Sequence, residues 1–183
     1  MARVPYLTPE DQDPENRELL DRPIDINRAL ANSPGALEAN RFMGRWARYR
    51  SAVDPRLREL TIVAVGALTG NVYEYAHHVR LAKESGASSQ DVDDVQRYFA
   101  GEGIELEPAA RIALDAAYTL TVDGDLDDAQ WNALEETLGR RAAIDLIVIV
   151  GYYNMVVRVL RGLDVRLEDD WSGELRAHPL REN

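Results

Sequence analysis

Apolar residues recur at three- and four-residue intervals along most of this chain, and no stretch alternates apolar with polar residues as a half-buried strand would. The pattern predicts an all-α fold class, a bundle of about six to eight helices. Residues 1–35 break the rhythm. They are rich in proline, acids and asparagine, with short apolar anchors at Val4, Tyr6, Leu7, Leu19, Leu20 and Leu30. Such a segment reads as an arm laid over a surface, with at most a short helix near Pro14–Leu20.

Ser33-Pro34 then offers an N-cap followed by proline at the first helical position, and Leu37, Phe42, Met43, Trp46 and Tyr49 follow as an apolar face beside Arg41, Arg45 and Arg48. Asp54-Pro55 repeats the signal and opens a helix to Leu68 that is apolar nearly all round. Gly70 stops it. Asn71, with Glu74 three residues on, resembles a capping box for a helix over residues 72–85. Ser88 and Asp91 cap the next helix, Pro108 opens another, and a shorter one lies within residues 125–138. Gly139 precedes a long apolar helix ending near Gly162. The charged remainder holds Trp171 as an isolated aromatic. The expected organisation is an arm (1–35), one helical domain (36–167) and a charged tail (168–183).

Residues 60–68 and 144–153 present apolar side chains in more than one direction, which predicts a homo-oligomer that buries the excess between subunits. The most apolar stretch, residues 142–163, is interrupted by Asp145, Asn154, Arg158 and Arg161. Its uncharged run falls short of the ~20 residues a bilayer span needs, so it reads as a buried central helix.

Composition narrows the function. A chain of 183 residues suits one domain with a full core. With 21 basic against 32 acidic residues its formal charge is -11, which repels nucleic-acid phosphates and anionic membranes; neither is expected as a partner. It has no cysteine, which removes disulfides, thiolate nucleophiles and cysteine-ligated metal. The N-terminus lacks the features of a secretion signal or transit peptide, so a cytoplasmic location is expected.

The candidate chemistry sits around the Gly70 break. Glu74 and His78 are four apart on one helix face, and His77 lies three from Glu74. A carboxylate beside an imidazole raises its pKa and fixes its tautomer, as proton transfer near neutral pH requires. If the two helices pack antiparallel across Gly70, Glu59 joins them. A structural reading stands beside this one: Glu74 serves only as the N3 partner of Asn71, and His77 and His78, about 100° apart on a helix, cannot both face one site. Glu59, Glu74 and a histidine are plausible metal ligands, but no diagnostic spacing such as His-Glu-x-x-His is present and no metal or other cofactor is expected. Tyr152, Tyr153 and Asn154 place polar groups in the most apolar helix, and Arg41, Arg45, Arg48 and Arg50 either attract an anionic substrate or form a solvated face.

The chain resembles the carboxymuconolactone decarboxylase family, which includes the AhpD-like alkylhydroperoxidases. The motifs are the opening Arg-Val-Pro-Tyr-Leu-Thr-Pro-Glu, the Leu-Arg-Glu-Leu lead-in, Leu-Thr-Gly-Asn-Val-Tyr-Glu-Tyr-Ala-His-His-Val, and the late Val-Gly-Tyr-Tyr-Asn-Met. The resemblance implies an AhpD-like helical bundle with the Glu59 and His78 helices paired near a subunit interface, in trimers or hexamers; a dimer would also bury the excess apolar surface. In the family's peroxidase branch a glutamate is followed by a Cys-x-x-Cys pair and then a histidine. Those places hold Glu59, Asn71, Glu74 and His78 here, so the acid and the base remain without either sulfur. A thiol peroxidase cycle is impossible.

What remains resembles the decarboxylase branch: a cofactor-independent acid/base decarboxylase, lyase or isomerase acting on a small organic acid or lactone. In that reading His78 is the acid, Glu74 orients it and Glu59 tunes the pair. Arg45 or Arg80 holds a substrate carboxylate, Arg80 being equally placed to pair with Glu84 along its helix, and Asn71, Tyr73, His77 and Tyr152 are further substrate-binding candidates. It predicts that His78→Gln abolishes turnover at nearly unchanged melting temperature. The competing reading is a non-catalytic helical oligomer that binds a small ligand or protein partner. Under it Glu74→Ala costs about a helix cap in stability, and no enclosed cavity lies beside His78.

Overall fold

The structure is a computed structural model and describes residues 2–181. It is helical throughout, with no strand among the described residues. Short 3-10 turns at Pro9–Asp11 and Pro14–Leu20 lead into α1 (Asp25–Leu30), α2 (Pro34–Tyr49), α3 (Pro55–Leu68) and α4 (Val72–Glu84). Then come α5 (Ser89–Phe99), α6 (Pro108–Val122), α7 (Asp128–Leu138), α8 (Arg140–Leu163) and, after a 3-10 turn at Asp169–Trp171, α9 (Ser172–Ala177).

Helix α3 is the hub. It packs against α4, α5, α6 and α8, and every residue from 57 to 67 is buried. The apolar surface of residues 60–68, expected to be covered by another subunit, is thus covered by the chain's own helices. Helix α8 differs: Ile144, Val148 and Met155 remain exposed on it. It is also the one helix among the described residues long and apolar enough to cross a bilayer, yet it lies against α2, α3, α6 and α7.

Local chemistry sets the α3–α4 hairpin. Asp54 caps α3 by accepting from the Leu57 amide at 3.0 Å, with Pro55 behind it. Gly70 turns the chain at φ +59°, a conformation that burdens residues with a Cβ. The Asn71 amide then donates to the Gly66 carbonyl at 2.9 Å, and Asn71 Oδ1 accepts from the Glu74 amide at 2.9 Å. At the crossing, a Cβ on Gly66 would stand 2.8 Å from the Tyr75 backbone nitrogen, so glycine permits the close approach of the two helices.

Two expectations fail in α2. Ser33 makes no side-chain cap, and of the expected apolar face Leu37 is buried and Met43 and Trp46 pack on the core, whereas Phe42 (70% exposed) and Tyr49 (73%) point outward. Both ends of the described residues are packed. Arg3 donates its amide to the Leu163 carbonyl at 2.8 Å, while α9 packs on α4 and His178 Nδ1 lies 2.7 Å from Asp93. Trp171, isolated in the sequence, is stacked on His77.

Candidate active site

Antiparallel pairing of α3 and α4 brings four charged side chains into one buried row. Arg58 Nε donates to Glu59 Oε1 at 2.9 Å, Glu59 Oε2 lies 2.6 Å from His78 Nδ1, and His78 Nε2 lies 2.9 Å from Glu74 Oε1. The side chains are 3 to 7% exposed. Arg58 also donates to the Arg48 carbonyl at 3.1 Å, tying the row to α2. Burial by itself would lower the His78 pKa, but Glu74 and Glu59 outweigh it and raise it to about 9. His78 is therefore an imidazolium at neutral pH with a carboxylate oxygen within 3 Å of each ring nitrogen. Burial likewise pushes Glu59 up, and the His78 and Arg58 cations override it to hold the carboxyl below its usual range.

His77 lies in a second cluster. Its ring is sandwiched between Tyr73 (centroids 4.3 Å apart) and Trp171 (3.8 Å), and Nε2 lies 2.8 Å from Glu168 Oε2. Glu168 also accepts from the Tyr73 hydroxyl at 3.0 Å and the Asp25 amide at 2.8 Å. Burial disfavours the Glu168 carboxylate, yet the donors from His77 and Asp25 prevail and lower its pKa to about 2. Burial pushes the His77 imidazole down, with Glu168 opposing.

Beside both clusters lies a cavity of about 600 Å³, within the range of small-molecule sites. Glu74, His77, His78, Tyr73, Tyr152 and Tyr153 line it, together with Arg22, Arg45 and Arg48. Among the described residues these three arginines form no salt bridge. Burial, then the neighbouring Arg48 cation, lowers the Arg22 pKa from its ordinary value. The Tyr152 hydroxyl is held by the Asn40 carbonyl at 2.9 Å. The Tyr153 ring packs edge-on to His78 at 4.8 Å, and its hydroxyl has no hydrogen-bond partner among the described residues.

Several expectations change here. His77 and His78 both border one cavity although they project differently, because each meets its own carboxylate. Glu59 does not line the cavity; it stands behind His78. Glu74 is only half of the expected capping box, since its amide meets Asn71 while its carboxylate meets His78. Asn71 lies outside the cavity: its Oδ1 caps α4 by accepting from the Glu74 amide, and its Nδ2 donates to the Val157 carbonyl at 3.4 Å. Arg80 is also outside, paired with Glu84 at 3.2 Å and lying over Trp171. Tyr73, Arg45 and Tyr152 do line it. Arg58, Arg22 and Glu168 were missed. Arg58 adjoins Glu59 on a helix, where neighbours do not usually face each other, and Glu168 is 91 residues from His77. Among the described residues no group of three or more acids and histidines is arranged to hold a metal ion.

The comparisons with known proteins agree with this core. Residues 34–118 match the model of the Carboxymuconolactone decarboxylase family, a span that includes Glu59, Glu74 and His78. That match runs from the start of α2 into α6. The chain lacks the cysteine pair of the family's peroxidase branch. The crystal structure of an alkylhydroperoxidase AhpD core, an uncharacterized peroxidase-related protein from Ralstonia eutropha JMP134, superposes with a TM-score of 0.81 at 17% identity over 98% of both chains. The debrominase Bmp8, solved with 2,3,4-tribromopyrrole, gives 0.77 at 16% identity over 95% of both. An uncharacterized peroxidase-related protein from Silicibacter sp. TM1040 gives 0.69 at 19% identity over 93% of this chain and 92% of that one. At these identities the likeness is one of fold. No curated protein matches the chain in sequence.

Proposed function

We propose that this chain is a cofactor-independent acid/base enzyme, a decarboxylase, lyase or isomerase acting on a small organic acid or lactone. The observation that carries this reading is the buried row Arg58, Glu59, His78, Glu74 ending at a cavity that Arg22, Arg45 and Arg48 also line without a salt bridge among the described residues. In such a site the substrate's carboxylate sits against Arg22, Arg45 and Arg48, where charge-assisted hydrogen bonds are strong. Negative charge that develops on a conjugated enolate is steadied by the same groups, and the free Tyr153 hydroxyl supplies a further donor.

The proton is handled by Glu74 and His78. Both His78 nitrogens are engaged, so His78 recharges Glu74 rather than reaching substrate alone, and the roles given to these two residues by the sequence change accordingly. Glu59 holds the imidazole in place and stabilises its positive form. The cavity beside His78 favours this reading over a non-catalytic oligomer. That Bmp8 is a debrominase solved with a brominated pyrrole supports a small ring as the occupant.

The experiment is a screen of small carboxylated lactones and unsaturated acids in deuterated buffer, followed by proton NMR for turnover and deuterium incorporation. Conversion that Glu74→Gln abolishes and Glu59→Gln slows supports the relay. Conversion unaffected by Glu74→Gln removes Glu74 from the mechanism.

A further inference from the structure

His77 has one nitrogen committed and one free. Nε2 meets Glu168 Oε2 at 2.8 Å, both ring faces are covered by Tyr73 and Trp171, and the residue is 4% exposed. Nδ1 has no hydrogen-bond partner among the described residues, and no fully buried side-chain nitrogen or oxygen there lacks one. Nδ1 therefore meets open space, and the space that His77 borders is the cavity. Glu168, accepting also from the Tyr73 hydroxyl and the Asp25 amide, is fixed from three sides.

We infer that His77 is a second proton-transfer residue of this cavity, a base acting through Nδ1, with Glu168 as its positioning residue. The inference rests on the cavity being the substrate site. A carboxylate that accepts the Nε2 proton leaves the Nδ1 lone pair bare, as in other carboxylate–histidine pairs. That lone pair takes a proton from a carbon or oxygen acid bound in the cavity. The ring becomes an imidazolium whose charge Glu168 meets, and the electron pair left behind stays on the substrate, facing Arg22 and Arg48.

Glu74 and His77 are three apart on α4 and border the same space, so one can remove a proton while the other delivers one. Two proton-handling groups fit a reaction that relocates a proton within an unsaturated acid or lactone, whereas simple loss of carbon dioxide requires only a donor. The reaction class indicated is an isomerisation. Charged or titratable neighbours acting on His77 are Glu168 from the C-terminal segment and Glu74 and His78 from its own helix; burial keeps the ring neutral near pH 7.

The test uses the intact chain labelled with ¹⁵N-histidine, and diethyl pyrocarbonate as the probe of bare imidazole nitrogen. Long-range ¹H–¹⁵N spectra at pH 7 are expected to show His77 protonated at Nε2 only. Peptide mapping is expected to find His77 modified at least tenfold faster than His78 or His178. In Glu168→Gln the single tautomer should give way to a mixture, and Glu168→Asp should restore it in part. A His77 protonated at Nδ1, or one no more reactive than His78, would overturn the inference. These readouts need no turnover, so failure of the Glu74 relay shows separately, as activity surviving in Glu74→Gln.

Discussion

His78 Nδ1 lies 2.6 Å from Glu59 Oε2, across the α3–α4 hairpin and between residues 19 apart in sequence. The contact joins two helices and two roles: it is part of the core, and it sets the charge of the site. A buried imidazolium between carboxylates cannot be altered without consequence for folding, because removing one partner leaves the others charged and dry.

The first prediction corrects the expectation that His78→Gln spares stability. The variant leaves the Glu74 carboxylate without its cation and is expected to lose roughly 3 to 5 kcal/mol, read by urea or guanidinium denaturation. An unchanged midpoint would mean that the row is not charged as described.

Stability should decline at both ends of the pH scale. His78 has its folded pKa raised to about 9, so its contribution is complete below its unfolded value and is lost as pH rises through about 9. Glu168 is depressed to about 2, so its contribution is present above its unfolded value and is lost as pH falls toward about 2. Thermal melts across this range should show both limbs, and Glu168→Gln should diminish the acid one.

Gly66→Ala should destabilise by about 1 to 3 kcal/mol, because the added methyl meets the Tyr75 backbone rather than a movable side-chain end. Calorimetry or denaturant unfolding measures it. Stability equal to the parent would show that the helices can separate at no cost.

Arg22→Ala and Arg48→Ala should leave the fold within about 1 kcal/mol of the parent, since neither arginine forms a salt bridge among the described residues and each repels the other. Both should weaken the binding of a small dicarboxylate by tenfold or more, measured by titration calorimetry. Equal affinity in the variants would move the anion site elsewhere.

The hairpin was legible because its signals are local. Asp54-Pro55, Gly70 and Asn71 mark where α3 ends and α4 begins, and antiparallel packing across so short a turn brings Glu59 toward His78. The α2 face misled because Phe42 and Tyr49 are apolar but lie away from Leu37 and Ala47. Arg22, Glu168 and Trp171 reach the site from the two ends of the chain, where no periodicity links them to α4. Arg80 is different: its pairing with Glu84 four residues on is a local alternative that the helix spacing offers, and only the Trp171 ring beside it comes from a distant segment.

The most direct test of the central claim is the protonation of His78, followed by ¹⁵N-histidine NMR from pH 5 to pH 10. The account predicts a ring protonated at both nitrogens through neutral pH that releases its proton near 9. A ring that titrates at or below the ordinary value of about 6.5 would contradict it.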